Sequence, residues 1–159
     1  MGGAREAAAP SALDGLVIRP VAAGDVPAIV DLDARSTGVS KCHYWRDLYA
    51  YVTQARGDGR AFFVAEQQGR LVGFIAGEIR AFEFGAEACG WVFGLNVDPD
   101  VRVNHVGTHL FERIVESFRR AGVEKVRTIL HRDNHLVLAF FRSQGLKTGP
   151  FIQLEKDLD

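Results

Sequence analysis

The chain has 159 residues, of which 47% are hydrophobic and 25% are charged, so it is long enough to bury the core of one compact domain. Its formal net charge of -1 gives no overall field that would attract a polyanion, so the predicted partners do not include nucleic acid. No apolar stretch approaches the roughly 20 residues needed to span a bilayer, so no membrane partner is predicted either.

The first residues are small and polar. We predict a flexible tail over residues 1–14 and a single domain over residues 15–159. The tail has no apolar run between a basic start and a cleavage site, so it is not typical of a signal peptide. The two cysteines, Cys42 and Cys89, are too few for a disulfide framework. Together these features predict a reducing, cytoplasmic setting.

The chain begins with one strand signal and two helix signals. β-Branched residues within 16–22 predict a strand. Asp25 is placed to cap a helix over 23–36, with Pro27 near its first turn. A second helix is predicted over 41–56, and its helical spacing places four residues on one face: Tyr44, Leu48, Tyr51 and Val52.

Strand signals dominate the middle of the chain. Residues 61–82 predict two strands joined at 67–70, where Gly69 supplies a permissive backbone for the turn. Another strand is predicted over 89–97, and it stops before Pro99 because proline cannot continue a ladder.

The remaining residues alternate between helix and strand. An amphipathic helix follows the next loop and ends at Gly122. A strand over 125–131, a short helix over 134–145 and a last strand of alternating character over 150–158 complete the chain. The predicted element order is therefore β-α-α-β-β-β-α-β-α-β.

The loop within residues 97–110, VDPDVRVNHVGTHL, has the layout of an anion site. A strand that enters a turn and then a helix leaves the first N–H groups of that helix without partners, and the helix dipole adds about half a positive charge there. Gly107 allows close approach of phosphate oxygens, and Arg102 offers a charge. A turn with one Arg and one Gly before a helix is common, so this loop alone does not decide the function.

The element order and two motifs together resemble the GNAT family of N-acetyltransferases over nearly the whole chain. In that family the loop reads Arg or Gln, two residues, Gly, one residue, then Gly or Ala. Here Arg102 and Gly107 match, and His105 occupies the first glycine position. The second motif is an Asn followed by a helix that ends in an aromatic pair, a Gly and an apolar residue. It is matched by Asn134, Phe140, Phe141, Gly145 and Leu146.

The resemblance implies an α/β (α+β) fold with a mixed, mostly antiparallel sheet of six to seven strands and about four flanking helices. Acetyl-CoA, the implied co-substrate, would lie in a cleft where the strand ending at Val97 splays away from the strand over 125–131. The backbone of the first strand would pair with the pantetheine arm and the acyl carbonyl, and the loop would hold the pyrophosphate. The implied CoA-binding residues are Leu95, Asn96, Val97, Arg102, Val103, Asn104, His105, Val106, Gly107, Thr108, Asn134 and Phe141.

His105 departs from the family pattern. A non-glycine residue occupies a left-handed turn position at a cost, and His is among the more tolerant types. Beside a pyrophosphate its imidazole could gain a proton and add a charge pair. We expect the loop to bind CoA with His105 tolerated or helpful; much reduced affinity, with His105 simply facing solvent, is the alternative.

The reaction implied by the resemblance is direct transfer of an acetyl group from CoA to a primary amine in a ternary complex. A lysine-like amine has a pKa of about 10.4, so the site must help to remove a proton. Glu78 is our first candidate base because alternation places it on one face with Phe74 and Ala76; otherwise it is a solvated edge carboxylate. The other candidates are Glu83, Glu87 and His131.

Two further positions depart from the family. Phe141 stands where relatives often carry a tyrosine that protonates the departing thiolate, although a thiolate of this pKa can leave into water unassisted. Trp91 stands where relatives often carry Glu. With His105, these departures favour an alternative function, a catalytically weak CoA-binding or sensory module on the same fold, and a fold that has lost CoA and serves as an interaction domain is a third possibility.

The acceptor is predicted to be a small amine or a protein lysine, and the net charge does not choose between them. Tyr44, Trp45 and Tyr49 either line the acceptor pocket or belong to the core. A metal site is not expected, because the histidine pairs spaced i to i+4 straddle a loop and a strand end rather than lying on one helix. A homodimer that pairs the edges of the last strand, 150–158, is suggested by analogy only.

Overall fold

A computed structural model describes residues 15–54, 57, 59–81 and 83–158 of the chain, without the side chains of residues 102–104. The tail predicted over residues 1–14 lies outside the described residues. The chain divides into two compact units, and the boundary in the sequence falls between Thr128 and Ile129. No helix in the described ranges has both the length and the hydropathy of a membrane span.

A five-stranded sheet forms the centre of the first unit. Its strands are β1 (Leu16–Pro20), β2 (Arg60–Gln67), β3 (Arg70–Arg80), β4 (Cys89–Val97) and β5 (Val126–Thr128), and they lie in sequence order across the sheet. Every neighbouring pair is antiparallel except β4 and β5, which are parallel. The helices are α1 (Val26–Thr37), α2 (Cys42–Thr53) and α3 (Val106–Arg120) in the first unit and α4 (His135–Ser143) in the second. A mixed, mostly antiparallel sheet with four helices confirms the predicted fold class.

The number of strands is smaller than predicted. Residues 151–158 form no strand, and Ile152, Leu154 and Leu158 are 84%, 85% and 89% exposed. The alternation of this segment specifies two faces, but a strand also needs the edge of another strand as its partner, which periodicity does not supply. The strand predicted over 125–131 is likewise only three residues long.

One face of the sheet packs against α1 and α2. Trp45 is only 4% exposed, and its ring meets the Phe74 ring edge-on with centroids 4.8 Å apart. Of the four residues predicted to share one face of this helix, Tyr44 and Tyr51 are 48% and 43% exposed. The inward face instead consists of Trp45 together with the partly buried Leu48 and Val52. An indole can be buried where its N–H has a partner, and Trp45 Nε1 donates to Asp33 at 2.9 Å.

The other face of the sheet packs against α3, whose apolar stripe is buried as the periodicity predicts. Two glycines bring the helix close to the strands. A Cβ atom at Gly77 or Gly90 would lie within 3 Å of the Phe118 ring, so the missing side chains make the space into which Phe118 packs. The tight contact fixes α3, and hence the loop ahead of it, against β3 and β4.

Asp25 occupies the N-cap position of α1, as predicted, but its carboxylate makes no capping hydrogen bond to that helix. Asp25 lies at the end of a short 3-10 helix, and its Oδ2 accepts the backbone N–H of Ala22 at 2.7 Å instead. Arg19 donates to both of its carboxylate oxygens, at 2.8 and 2.9 Å, and also binds Glu66 at 2.8 Å. These contacts join β1, β2 and the start of α1. They hold the pKa of Asp25 below its ordinary value, the Arg19 hydrogen bond being the largest cause.

We expect this group to make the fold acid-sensitive. A carboxylate whose pKa is lower in the folded than in the unfolded protein stabilises the fold above its unfolded pKa of about 3.9, and that stabilisation is lost as the pH falls through the folded value. The free energy of unfolding, measured by urea titration, should therefore decline below about pH 4. In Asp25→Asn the decline should be shallower, because the variant lacks one of the carboxylates whose protonation destabilises the fold. The same slope in both proteins would contradict the assignment, and Asp31→Asn, an exposed change on α1, is the control.

Candidate functional site

Strands β4 and β5 part within the first unit. Their parallel ladder covers only Gly90 to Val92 on β4 and Val126 to Thr128 on β5. At its end the Thr128 hydroxyl donates to the Val92 carbonyl at 2.8 Å. In the described residues β4 continues for five more positions beyond the β5 ladder, Phe93–Val97, of which the last four pair with β3. The family resemblance implies a CoA cleft along this edge, and that role stays a prediction.

A β-bulge lies where the strands part. Ala76 on β3 pairs with Gly94, and Gly77 pairs with Val92, so Phe93 is an extra residue on β4. A bulge bends its strand and increases the local twist, which turns the following backbone away from the original ladder direction. Phe93 is 37% exposed at this bend.

Asp98 anchors the loop that follows β4, a role the sequence analysis missed. The residue is fully buried, its Oδ1 accepts the backbone N–H of Asp100 at 3.0 Å, and its Oδ2 pairs with Arg35 at 3.2 Å and Arg70 at 3.4 Å. The Asp100 hydrogen bond, aided by both guanidinium groups, holds the pKa of Asp98 below its ordinary value. An Asp directly before Pro99 is a recognisable helix-capping signal, and here it caps the 3-10 helix Pro99–Asn104.

The loop enters α3 through His105, which adopts the left-handed conformation with φ 56° and ψ 21°. The sequence analysis anticipated this conformation from the family glycine at that position. The His105 side chain is exposed, and its carbonyl accepts the N–H of His109 at 3.2 Å. The backbone amides of Val106 and Gly107 therefore belong to the first turn of α3, whose N–H groups point out of the helix end. The Arg102 side chain, predicted to contribute a charge, lies outside the described residues, and the predicted backbone contacts of Val103 and Asn104 with the pyrophosphate stay predictions.

The predicted β4 residues lie on the parted edge. Leu95 and Val97 pair with Ile75 and Gly73 across the ladder to β3. The side chain of Asn96 is tied to α1 instead, since its Oδ1 accepts the Ser36 hydroxyl at 3.0 Å. The Asn96 side chain therefore links the strand to the helix.

The two predicted residues of the second unit have local contacts of their own. Asn134 caps α4, its Oδ1 accepting the backbone N–H of Val137 at 3.2 Å. Phe141 is buried and meets Phe140 edge-on, with ring centroids 5.2 Å apart. Their roles toward CoA, and that of Thr108, stay predictions.

Glu78 lies on the same face of β3 as Phe74 and Ala76, as alternation predicts. Its Oε2 accepts the Tyr51 hydroxyl at 2.8 Å, and its Oε1 pairs with Arg80 at 3.0 Å. It lies directly opposite Trp91 on β4. A carboxylate is thus present one strand away from the position where the family often has Glu. Glu83 and Glu87 are exposed in the connecting segment.

A pocket of about 270 Å³ lies between α1, α2 and the bulged part of β4. Tyr44 and Trp45 line it, and Tyr49 does not. Trp45 lines this pocket and also belongs to the core, and its role toward an acceptor stays a prediction. The polar lining consists mainly of Asp33, Lys41 and Asn96, of which the sequence analysis proposed only Asn96, as a backbone contact.

The profile of the acetyltransferase (GNAT) family matches residues 26–146, which include the parted strands, the loop and α4. The chain belongs to the GNAT acetyltransferase family. The resemblance inferred from the sequence is confirmed.

This chain aligns with only part of the length of individual GNAT relatives. A mycothiol acetyltransferase from Sanguibacter keddieii is 31% identical over 100 residues, which make up 62% of this chain and 32% of the relative. An L-2,4-diaminobutyric acid acetyltransferase from Nocardia farcinica is 29% identical over 101 residues, 64% of this chain and 51% of the relative. The chain thus spans about a third to a half of the length of the curated relatives it matches.

Among solved structures, the aminoglycoside N-acetyltransferase AAC(6')-Iy in complex with CoA superposes with a TM-score of 0.77 at 16% identity, covering 89% of this chain and 94% of the other. Glucosamine-6-phosphate N-acetyltransferase from Arabidopsis thaliana gives a TM-score of 0.71 at 19% identity, covering 91% and 99%. At such identities the likeness shows that this GNAT protein shares their fold.

Proposed function

We propose that this GNAT protein transfers an acetyl group directly from acetyl-CoA to a primary amine. The observation that carries the proposal is the edge of β4 over Phe93–Val97, beyond its ladder with β5 and next in sequence to the loop that opens α3. An extended, amide-bearing pantetheine arm can pair with such an edge much as a strand does. The start of α3 offers backbone N–H groups and a positive dipole end to the pyrophosphate.

In the proposed reaction the neutral amine attacks the thioester carbonyl carbon. A C–N bond forms, and the carbonyl oxygen becomes an oxyanion that backbone N–H groups near the bulge stabilise. The C–S bond then breaks, the thiolate leaves and takes a proton from water, and the amine proton passes to a base. Glu78 is our proposal for that base, because it faces Trp91 across the strands and is the carboxylate nearest to the family position in the ladder.

A small acceptor is favoured over a protein lysine. The named activities of the relatives concern mycothiol and L-2,4-diaminobutyric acid, and those of solved GNAT structures include aminoglycosides. The pocket beside β4 is itself small, about 270 Å³, just below the usual range of about 300 to 1,000 Å³ for small-molecule sites.

The competing proposal is a CoA-binding module with weak catalysis. Its support is the backbone at His105, where a side chain occupies a left-handed position that glycine adopts without cost. Phe141 adds to it, because a phenyl ring cannot protonate the departing thiolate. Retained acetyl-CoA binding without CoA release over a wide panel of amines would favour this module.

Acetyl-CoA is expected to raise the melting temperature of the purified protein by several degrees. A ligand at about 100 times its dissociation constant adds roughly 2.7 kcal/mol to the free energy of unfolding. Free CoA should act similarly and ATP should not.

In Arg102→Ala the free energy of CoA binding should become less favourable by about 1 to 3 kcal/mol, the range for a lost charge-assisted hydrogen bond.

Arg119→Ala is the matched control, since it removes an exposed arginine from the other end of α3. Acetyl-CoA should stabilise this variant as much as the unaltered protein. No thermal shift at saturating acetyl-CoA would contradict the proposed function, and an equal affinity in Arg102→Ala would contradict the pyrophosphate role of the loop.

A further inference from the structure

The wall of the pocket beside β4 contains an ion pair whose carboxylate is buried. Lys41 Nζ lies 3.0 Å from Asp33 Oδ2, and Trp45 Nε1 donates to the same oxygen at 2.9 Å. The Asp33 side chain is only 8% exposed, whereas that of Lys41 is 38% exposed. The carboxylate is thus enclosed and supplied with donors, and the lysine is the more exposed member of the pair.

Lys41 retains capacity to bind a ligand. A lysine ammonium carries three N–H donors and no acceptor, and the contact with Asp33 uses one of them. Among the described residues that line the pocket, Lys41 carries the only full positive charge and Asp33 the only negative one. The pocket is therefore neutral as a whole, with its cation accessible and its anion already paired.

The charges of the lining discriminate between amines that carry only positive groups and amines that also carry a carboxylate. A polyamine, which carries only positive groups, meets the Lys41 ammonium and finds no second carboxylate in the lining. An amine that also bears a carboxylate matches the neutral pocket, because its carboxylate can accept the remaining Lys41 protons in charge-assisted hydrogen bonds. Its amine is then left for the bulged edge of β4, where Phe93 and Gly94 line the same pocket.

We propose that Lys41 binds a carboxylate of the acceptor, so that the acceptor is a small amine of the amino-acid type. Asp33 is a positioning residue that holds the Lys41 ammonium toward the pocket. This inference rests on the proposed acetyl transfer and specifies its substrate class.

The test compares two acceptors that differ by one group, ornithine and putrescine, its decarboxylated counterpart. We expect kcat/KM to be about 10- to 100-fold higher for ornithine, the effect of one hydrogen bond between charged groups. Lys41→Gln should remove this preference by lowering the value for ornithine and not that for putrescine. Lys41→Arg, which keeps the charge, should restore much of it. Asp33→Asn should raise KM for ornithine more than it lowers kcat.

Lys125→Gln is the matched control, since Lys125 is exposed and is not part of the pocket lining. Calorimetric titration of the same two amines supplies a readout that does not need turnover, and the melting temperature shows whether each variant folds. Equal kcat/KM and equal affinity for ornithine and putrescine would overturn the inference while leaving acetyl transfer intact. Absence of CoA release with every amine contradicts the proposed function instead. The carboxylate preference is then decided by calorimetry alone, and failure of ornithine to bind more tightly than putrescine overturns it.

Discussion

Replacing Asp98 with alanine is expected to lower the free energy of unfolding by about 2 to 4 kcal/mol. The change removes the acceptor for the Asp100 N–H at the start of the 3-10 helix, a loss of about 0.5 to 2 kcal/mol for a capping residue. Because this acceptor is ionised and its side chain is only 1% exposed, the same bond lies toward the upper end of that range; hydrogen bonds to charged groups contribute about 1.5 to 3 kcal/mol. The pairs with Arg35 and Arg70 contribute less, because those side chains are 53% and 60% exposed and remain hydrated after the change.

Urea unfolding at neutral pH measures this effect, and two variants make it specific. Asp100→Ala removes an exposed carboxylate two residues away and should be nearly neutral. Asp98→Asn retains one oxygen acceptor without the charge, so its loss in free energy of unfolding should lie between those of Asp98→Ala and Asp100→Ala. If Asp98→Ala proved as stable as Asp100→Ala, the anchoring role of Asp98 would be wrong.

Gly77→Ala is expected to destabilise the fold by about 1 to 3 kcal/mol or more, the cost of overpacking a tight core. A Cβ atom at this position would overlap the backbone oxygen of Trp91 and lie 2.9 Å from the Phe118 ring. The oxygen belongs to the ladder between β3 and β4, so relief requires the strands to shift. A shift there moves the bulge at Phe93, and we therefore expect weaker acetyl-CoA binding as well.

Gly24→Ala provides the comparison for Gly77→Ala. It adds the same methyl group where no atom lies within 4 Å, and its effect on the free energy of unfolding should be small. Both variants are measured by urea unfolding and by titration with acetyl-CoA. Equal stabilities would show that β3 and β4 can separate enough to admit a side chain.

The loop after β4 shows what the spacing of a motif can and cannot predict. Arg102, Gly107 and the glycine position held by His105 were identified from the order of residues, and the backbone at His105 does adopt the left-handed conformation. Asp98 went unrecognised as an anchor, although an Asp before a Pro is a local capping signal. Its partners Arg35 and Arg70 lie 63 and 28 positions away in the chain, so no local pattern connects them.

The helix over 41–56 shows the same limit. Its existence followed from periodicity, but the spacing that placed Tyr44 and Tyr51 on one face did not specify which face is buried, and both side chains are exposed. What decides the orientation is a long-range hydrogen bond from Trp45 to Asp33 on α1, which allows the indole to be buried. Trp45, Asp33 and Lys41 all line the pocket beside β4, and of these three the sequence analysis named only Trp45 as a pocket candidate.

Local physics was sufficient for most of the element types, because helical and strand periodicity, turn residues and capping depend on neighbours a few positions apart. The family followed from the resemblance of its motifs and element order, and the phosphate role of the loop stays a prediction. Tertiary structure alone decided that β4 bulges at Phe93 and leaves β5 after Val92, that residues 151–158 form no strand, and that Asp33 and Lys41 meet in one pocket. These features depend on which strand edges and side chains come together across long separations in sequence. A pattern read along the chain specifies what each segment can form, and packing selects which partner it finds.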